Sequence, residues 1–162
     1  MGFRLPKLLP ERAPPKSATE PVPKGSMNTI ATTWTAPAGI KSDQAIKDVK
    51  QAFESYPQEG QNGIDKGGWK VATADGTMDS GTFRVEYTSS SSSWLTFLLN
   101  GGQGFVDDVL VDVQTDKSPI ETIVRSSSRM GKSDLGVNKK RLQFLGQQMR
   151  EKQWEVPEPQ YP

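Results

Sequence analysis

Apolar and polar residues alternate through residues 105–113, a run rich in β-branched side chains that predicts a β-strand. Residues 120–125 have the same character and predict its partner strand, after a break at Ser118-Pro119. Two further strands are predicted at residues 69–73 and 82–88, with an Asp-Gly turn in the connection between them. The pattern therefore places several strands in the second half of the chain.

Two stretches carry apolar residues at helical spacing instead. Ile46, Val49 and Phe53 form one stripe, behind a cap expected at Ser42-Asp43. The second stripe, which begins near residue 137, consists of Leu142, Leu145 and Met149. Charged residues beside the two stripes are expected to face water; they are Lys47, Asp48 and Lys50 on the first helix and Lys139, Lys140 and Arg141 on the second.

Two segments are open to more than one interpretation. Residues 27–35 are rich in threonine and predict either a short strand or a segment lying over the core. Residues 94–99 predict a short apolar strand or an amphipathic turn. Together the elements predict an α+β fold, with an antiparallel sheet of about four to five strands that carries both helices on one face. Short connections between successive strands favour a meander.

Proline is concentrated at both ends of the chain, where it disfavours helices and central strands and favours extended structure. We therefore expect an extended arm at 1–34, a domain at 35–150 and a second proline-rich tail at 151–162. Apolar and aromatic residues in extended arms, together with a nearby cation, are candidate anchors for a partner protein. These candidates are Phe3, Arg4, Leu8, Leu9, Trp154 and Tyr161.

Composition narrows the possible chemistry. The chain has 162 residues, which suits one domain with tails, and its net charge of +1 gives no indication of nucleic-acid binding. It has no cysteine and no histidine, which excludes disulfides, thiol nucleophiles, Ser/His/Asp triads and the usual zinc sites. No apolar run approaches the ~18 residues of a membrane helix. We expect no metal, no cofactor and no transmembrane span.

A polar group follows the two central strands. One interpretation is a ligand-binding corner, in which arginine side chains and the N-terminus of a helix together bind an anion. Its candidate residues are Arg125, Arg129, Ser133, Asp134 and Asn138. The alternative interpretation is an ion-pair and capping network that also contains Asp107 and Asp108, with Ser133 or Asp134 as the cap and Gly131 in a tight bend. Adjacent strand residues point to opposite faces, so the two aspartates are poorly placed as an acid/base pair. No catalytic residue is predicted.

The Phe-Val-Asp-Asp strand at 105–108 is followed by Arg-Ser-x-Ser-Arg-x-Gly-x-Ser-Asp-Leu-Gly-x-Asn-x-x-Arg at 125–141. This pair of blocks resembles the hallmark of an uncharacterised family, DUF1499. The resemblance extends from residue 35 to about residue 149 and is carried mainly by residues 105–142. The family occurs in bacteria and in the plastids of plants and algae, and it has no established activity, so the resemblance implies no catalytic residue.

The resemblance and the two arms lead to a functional expectation. We expect a non-catalytic peripheral subunit that binds and stabilises a large assembly through its arms. The plastid members of the family favour the thylakoid membrane of an alga, in a photosystem I–antenna supercomplex. The alternative is a small-ligand or anion-binding domain that uses the corner between Arg125 and Asn138.

Overall fold

The structure is a computed structural model that describes residues 6, 10–89, 101 and 104–162. Within these residues it has five strands and two helices. In chain order they are β1 (Thr29–Thr35), α1 (Ser42–Glu54), β2 (Trp69–Val71), β3 (Thr82–Thr88), β4 (Val106–Gln114), β5 (Glu121–Ser128) and α2 (Val137–Arg150). The segment 94–99, for which a strand or a turn was predicted, lies outside the described residues.

The five strands form one antiparallel sheet in the order β1-β5-β4-β3-β2. Strands β2 to β5 follow one another as the predicted meander, whereas β1 pairs with β5 and forms the opposite edge. The α+β class and the antiparallel sheet are thereby confirmed, and of the two interpretations of residues 27–35 the strand is correct. Sheet pairing begins at Thr29, so the last residues of the arm expected at 1–34 belong to β1.

Both helices pack on one face of the sheet. The ring of Phe53 in α1 meets Phe83 of β3 edge-on, with 5.1 Å between the ring centroids. From α2, the guanidinium carbon of Arg141 lies 4.7 Å from the ring centroid of Tyr87, also in β3. Strand residues two apart share a face, so this layer also buries Val85 beside Phe83 and Tyr87. Neither of the two described helices lies on the other face of the sheet, which is the outer face.

One charged residue of α1 that was predicted to face water is buried. Val49 and Phe53 are fully buried as expected, but Asp48 is also buried and accepts a hydrogen bond from the indole nitrogen of Trp154 at 3.0 Å. The expected cap is also wrong, because Lys41 occupies the N-cap position and its side chain makes no capping bond. Asp48 lies three residues after buried Ala45 and four before buried Ala52, so helical geometry places it on the apolar stripe.

The segment after α2 turns back onto the domain. Trp154 is 3% exposed, and the backbone of Glu155 exchanges two 2.9 Å hydrogen bonds with Thr35 at the edge of the sheet. Pro159 is buried, and the Tyr161 hydroxyl donates to Asp134 at 2.6 Å. The proline-rich tail predicted at 151–162 is thus bound to its own domain.

The N-terminal arm crosses the helix-free face of the sheet. The backbone N–H of Arg12 donates to the carbonyl of Arg129 at 2.7 Å, and its guanidinium donates to the carbonyl of Gly131 at 2.6 Å. Further along the arm, Ala18 is buried. Gly131 has a φ of +79°, the left-handed conformation that glycine adopts readily, so the tight bend predicted there is confirmed. Neither of the two helices described is long and apolar enough to cross a bilayer.

Candidate functional site

Asp107 and Asp108 are adjacent in β4, and each belongs to a polar network on a different face of the sheet. The side chain of Asp107 points to the helical face and pairs with Arg141, whereas that of Asp108 points to the outer face and pairs with Arg129 and Arg84. This alternation is the one that the strand predicts. The two aspartates therefore belong to separate networks and cannot act on one substrate group.

Arg141 is the centre of the network on the helical face. Its guanidinium is fully buried and binds Asp65 through two bonds, from Nε at 2.8 Å and from Nη2 at 2.6 Å. The same Nη2 donates to Asp107 at 2.8 Å. Burial alone would lower the pKa of Arg141, but the charges of Asp107 and Asp65 raise it well above its ordinary value. Two carboxylates thus share one buried cation.

The sequence pattern does not predict this centre, because the Lys139-Lys140-Arg141 run indicates a helix face in water and Asp65 lies in a polar loop. A signal was nevertheless present in α2. Arg141 lies four residues before Leu145, and Asn138 lies four residues before Leu142, so both polar residues fall on the apolar stripe of the helix. Asp65 comes from the glycine-rich loop before β2, where it has a φ of +57°, and nothing in its local sequence indicates burial.

Asn138 joins this centre to the start of α2. Its side-chain oxygen accepts hydrogen bonds from Ser126 at 2.5 Å and from Arg141 at 2.8 Å. Its amide group donates to Asp134 at 2.5 Å and to Ser128 at 3.0 Å. Every polar atom of the Asn138 side chain is therefore bonded within the chain.

Asp134 binds two backbone N–H groups at the start of α2. One carboxylate oxygen accepts from the backbone N–H of Gly136 at 2.8 Å, and the other accepts from that of Asn138 at 3.0 Å. Ser133, the other capping candidate, is exposed and accepts only the N–H of Leu135. Neither candidate holds the N-cap position, which Gly136 occupies without a side-chain capping bond, but Asp134 does accept a free N–H of the first helical turn, as predicted.

The outer face carries a second network around Asp108, whose carboxylate is fully buried. Arg129 binds it in a bidentate manner, with both N–O distances at 2.8 Å, and Arg84 adds a bond at 2.7 Å. Glu86 accepts from the same two arginines, at 2.8 Å from Arg129 and 3.1 Å from Arg84. Burial alone would raise the pKa of Glu86, yet hydrogen bonding to Arg129 and the charge of that arginine lower it.

Arg125 lies on the outer face but outside this network. It is 6% exposed, and its Nη1 donates to the backbone carbonyls of Glu20 at 2.5 Å and Pro21 at 3.2 Å. Its Nε donates to Ser127 at 3.3 Å. These partners are neutral, in contrast to the carboxylates that bind Arg129 and Arg141.

The structure therefore separates the residues of the predicted corner. Arg125 and Arg129 face the N-terminal arm, whereas Asp134 and Asn138 lie at the helical layer and Ser133 is at the surface. Of the candidate partner anchors, Trp154 and Tyr161 bind within the chain. Phe3, Arg4, Leu8 and Leu9 lie outside the described residues. No group of three or more acidic residues in the described segments is arranged to hold a metal ion.

Because Asp107 and Asp65 share the charge of Arg141, the effect of replacing Asp107 on the free energy of unfolding can be predicted. Burial raises the pKa of Asp107, although the charge of Arg141 opposes the shift. A raised pKa in the folded state means that protonation stabilises the fold, and this contribution is lost as the pH rises through the folded pKa, above the ordinary value of 3.8. Asp107→Asn removes this pH-dependent contribution to the unfolding free energy. At neutral pH the variant should differ from the wild-type chain by less than about 1 kcal/mol, because Asp65 still pairs with Arg141.

Urea unfolding of the wild-type chain and Asp107→Asn from about pH 4 to 8 measures this effect. The difference in unfolding free energy, variant minus wild type, should become more positive as the pH rises. Lys47→Gln is the control, because Lys47 is exposed on α1. A difference that stays constant across the range would contradict the assignment of Asp107 as the titrating group.

The comparisons with known proteins agree with the sequence blocks. A family model described as "Protein of unknown function (DUF1499)" matches residues 11–149. The matched range contains all five strands, both polar networks and almost all of α2. No curated protein and no solved structure gave a significant match. Since the family model covers most of the 162 residues and includes the blocks that resemble its hallmark, this chain belongs to the DUF1499 family.

Proposed function

We propose that this protein is a non-catalytic peripheral subunit that binds and stabilises a large membrane assembly. The buried charges around Arg141 and Asp108 support a structural role, because their partners lie within the chain. A reactive group would need a free nucleophile or a base directed at a substrate. Both networks instead hold strands, the loop before β2 and α2 in place.

One observation carries the proposal. Leu135 is 89% exposed and has a φ of +54°, a left-handed conformation that leucine rarely adopts. Within the described residues, the surface also presents Met27 at 59% exposure. The two segments are joined, because the N–H of Asp134 donates to the carbonyl of Met27 at 3.2 Å. An apolar side chain held in water by an unfavourable backbone is expected where a partner covers it.

The first nine residues have a composition that also suits contact with a partner. They contain Met1, Phe3, Leu5, Leu8 and Leu9 together with the cations Arg4 and Lys7. Apolar residues interspersed with cations suit a protein partner at a membrane surface. We therefore retain Phe3, Arg4, Leu8 and Leu9 as candidate contacts, and we replace Trp154 and Tyr161 with Leu135 and Met27.

The plastid members implied by the family resemblance support a location at the thylakoid membrane. Within that setting we propose a photosystem I–antenna supercomplex of an alga as the assembly. Gradient fractionation of gently solubilised thylakoids, followed by mass spectrometry, tests this placement. Migration with the pigmented complex at a fixed ratio through a salt wash is expected, and recovery only as a free 17.8 kDa protein would reject it.

Leu135→Asn tests the contact itself. Asparagine tolerates the left-handed conformation better than leucine does, so the variant should fold with unchanged or slightly higher stability. It loses the apolar contact, and we expect its association with the complex to weaken by about tenfold. Reconstitution of the purified variant with depleted membranes, followed by the same gradient, measures the effect.

Leu135→Met is the matched control, since it keeps an apolar side chain of similar size. It should associate like the wild-type chain. If Leu135→Asn co-migrates as fully as Leu135→Met, then Leu135 makes no contact and the proposed surface is wrong.

A further inference from the structure

Arg125 differs from buried Arg141 and half-buried Arg129 in the way its charge is compensated. Arg141 pairs with Asp65 and Asp107, and Arg129 pairs with Asp108. Among the described residues, no carboxylate lies within ion-pair distance of Arg125, whose bonds go to two carbonyl groups and one hydroxyl. Burial lowers the pKa of Arg125, and the charge of Glu20 opposes the shift only in part. A buried cation without an anion is costly.

Arg125 also retains unused hydrogen-bonding capacity. A guanidinium has five N–H donors. Nε and Nη1 make the bonds to Ser127, Glu20 and Pro21. The two N–H groups of Nη2 have no partner among the described residues. A planar group with two free donors is suited to accept an anion that has several oxygens.

A cavity of about 620 Å³ lies beside Arg125, between the N-terminal arm and the outer face of the sheet. Six cationic residues line it, namely Arg12, Lys16, Lys24, Arg125, Arg129 and Lys132. The acidic residues of the lining are Glu20 and Asp108. Asp108 is already neutralised by Arg129 and Arg84, so the cavity has a positive excess.

The arm contributes apolar as well as charged residues to the lining of the cavity. The apolar ones include Pro14, Pro15 and Pro23. Small-molecule sites commonly combine apolar walls with a few directed polar groups, in volumes of roughly 300–1,000 Å³. A ligand of this site would present an anionic group to Arg125 and an organic portion to the prolines.

We propose that this cavity binds an organic phosphate. The phosphoryl oxygens accept hydrogen bonds from Arg125, and Lys132 and Lys24 at the rim compensate the second negative charge. A phosphomonoester carries up to two negative charges near neutral pH, which suits several convergent cations better than a single carboxylate does. Met27 of the proposed contact surface also lines this cavity, so the two sites adjoin, but Leu135 is not among the lining residues. Phosphate binding would therefore add an activity to the proposed subunit that a change at Leu135 leaves in place.

Calorimetric titration of the full-length chain with glycerol 3-phosphate tests the site, with glycerol as the uncharged probe. Saturable binding of the phosphate and none of glycerol is expected. Arg125→Met should weaken binding by about ten- to a hundredfold, because a bidentate charge-assisted contact is lost. Absence of saturable binding at concentrations up to about 10 mM, in the range of the weakest specific affinities, would overturn the proposal.

A second variant covers the possibility that Arg125→Met loosens the arm. Lys132→Glu changes an exposed residue at the rim and should weaken binding by about three- to tenfold with an unchanged melting temperature. Lys47→Glu makes the same charge change on exposed α1, outside the cavity, and should bind like the wild-type chain. Equal affinities for Lys132→Glu and Lys47→Glu would contradict the site.

The phosphate could belong to a soluble metabolite or to a lipid headgroup. Sedimentation with phosphatidylcholine vesicles containing about one fifth phosphatidic acid distinguishes the two sources. Arg125-dependent binding of glycerol 3-phosphate alone indicates a soluble ligand, and Arg125-dependent sedimentation with the vesicles indicates a lipid. Loss of Arg125 dependence in both assays overturns the proposal. Leu135→Asn should retain phosphate binding, which separates this test from that of the assembly contact.

Discussion

Replacement of Arg141 by methionine should reduce the free energy of unfolding by about 3–5 kcal/mol, because it removes one member of a buried ion-pair network and leaves the others uncompensated. Asp65 is 1% exposed and would lose both of its bonds to the guanidinium. Asp107 would lose its partner on the same face. Since small domains are stable by only about 5–15 kcal/mol, much of the variant is expected to be unfolded at elevated temperature.

Thermal and urea unfolding of Arg141→Met measure this loss. Tyr87→Phe is the matched control, because it keeps the ring beneath the guanidinium and removes only a buried hydroxyl that has no hydrogen-bond partner among the described residues. That control should unfold within about 1 kcal/mol of the wild-type chain. A loss below 1 kcal/mol in Arg141→Met would show that the network contributes little to stability.

Trp154→Ala is the second change with a large expected effect, a loss of about 3–5 kcal/mol in unfolding free energy. The indole is 3% exposed and belongs to the core cluster, so its removal leaves a cavity. It also removes the 3.0 Å bond to buried Asp48, which then keeps Gln44 as its side-chain partner. The tail should detach from the sheet edge, where Glu155 pairs with Thr35.

Unfolding measurements and limited proteolysis of residues 151–162 report the two consequences separately. Trp154→Phe should cost less, because it retains most of the apolar contact and loses only the hydrogen bond. Gln160→Ala, in the exposed part of the same tail, is the control and should behave like the wild-type chain. Protection of the tail from proteolysis in Trp154→Ala would show that other contacts hold it.

The strands and helices could be predicted because their signals are local. Alternation through residues 105–113 predicted β4 and correctly placed Asp107 and Asp108 on opposite faces. The stripe of Leu142, Leu145 and Met149 predicted α2, and all three residues are buried. A side-chain period depends only on the geometry of the element itself, so it can be read without knowledge of what the element packs against.

The polar networks could not be predicted in the same way. Arg141 and Asp65 are 76 residues apart, and Asp48 and Trp154 are 106 apart. Runs such as Lys139-Lys140-Arg141 have the composition of a solvated helix surface, although Arg141 occupies the apolar stripe. The predicted anion corner grouped residues that are close along the chain, and the sheet then separated them onto two faces.

The sequence by itself determined the α+β class, the positions of both helices and of β2 to β5, the opposite faces of Asp107 and Asp108, and the resemblance to the DUF1499 family. Only the tertiary structure decided which charges are paired, which segments the arms cover and which arginine has no carboxylate partner in the described part of the chain. The reason is physical. A hydrophobic pattern acts over a few residues, whereas the fate of a charge depends on the burial and the distance to partners that folding brings from remote parts of the chain.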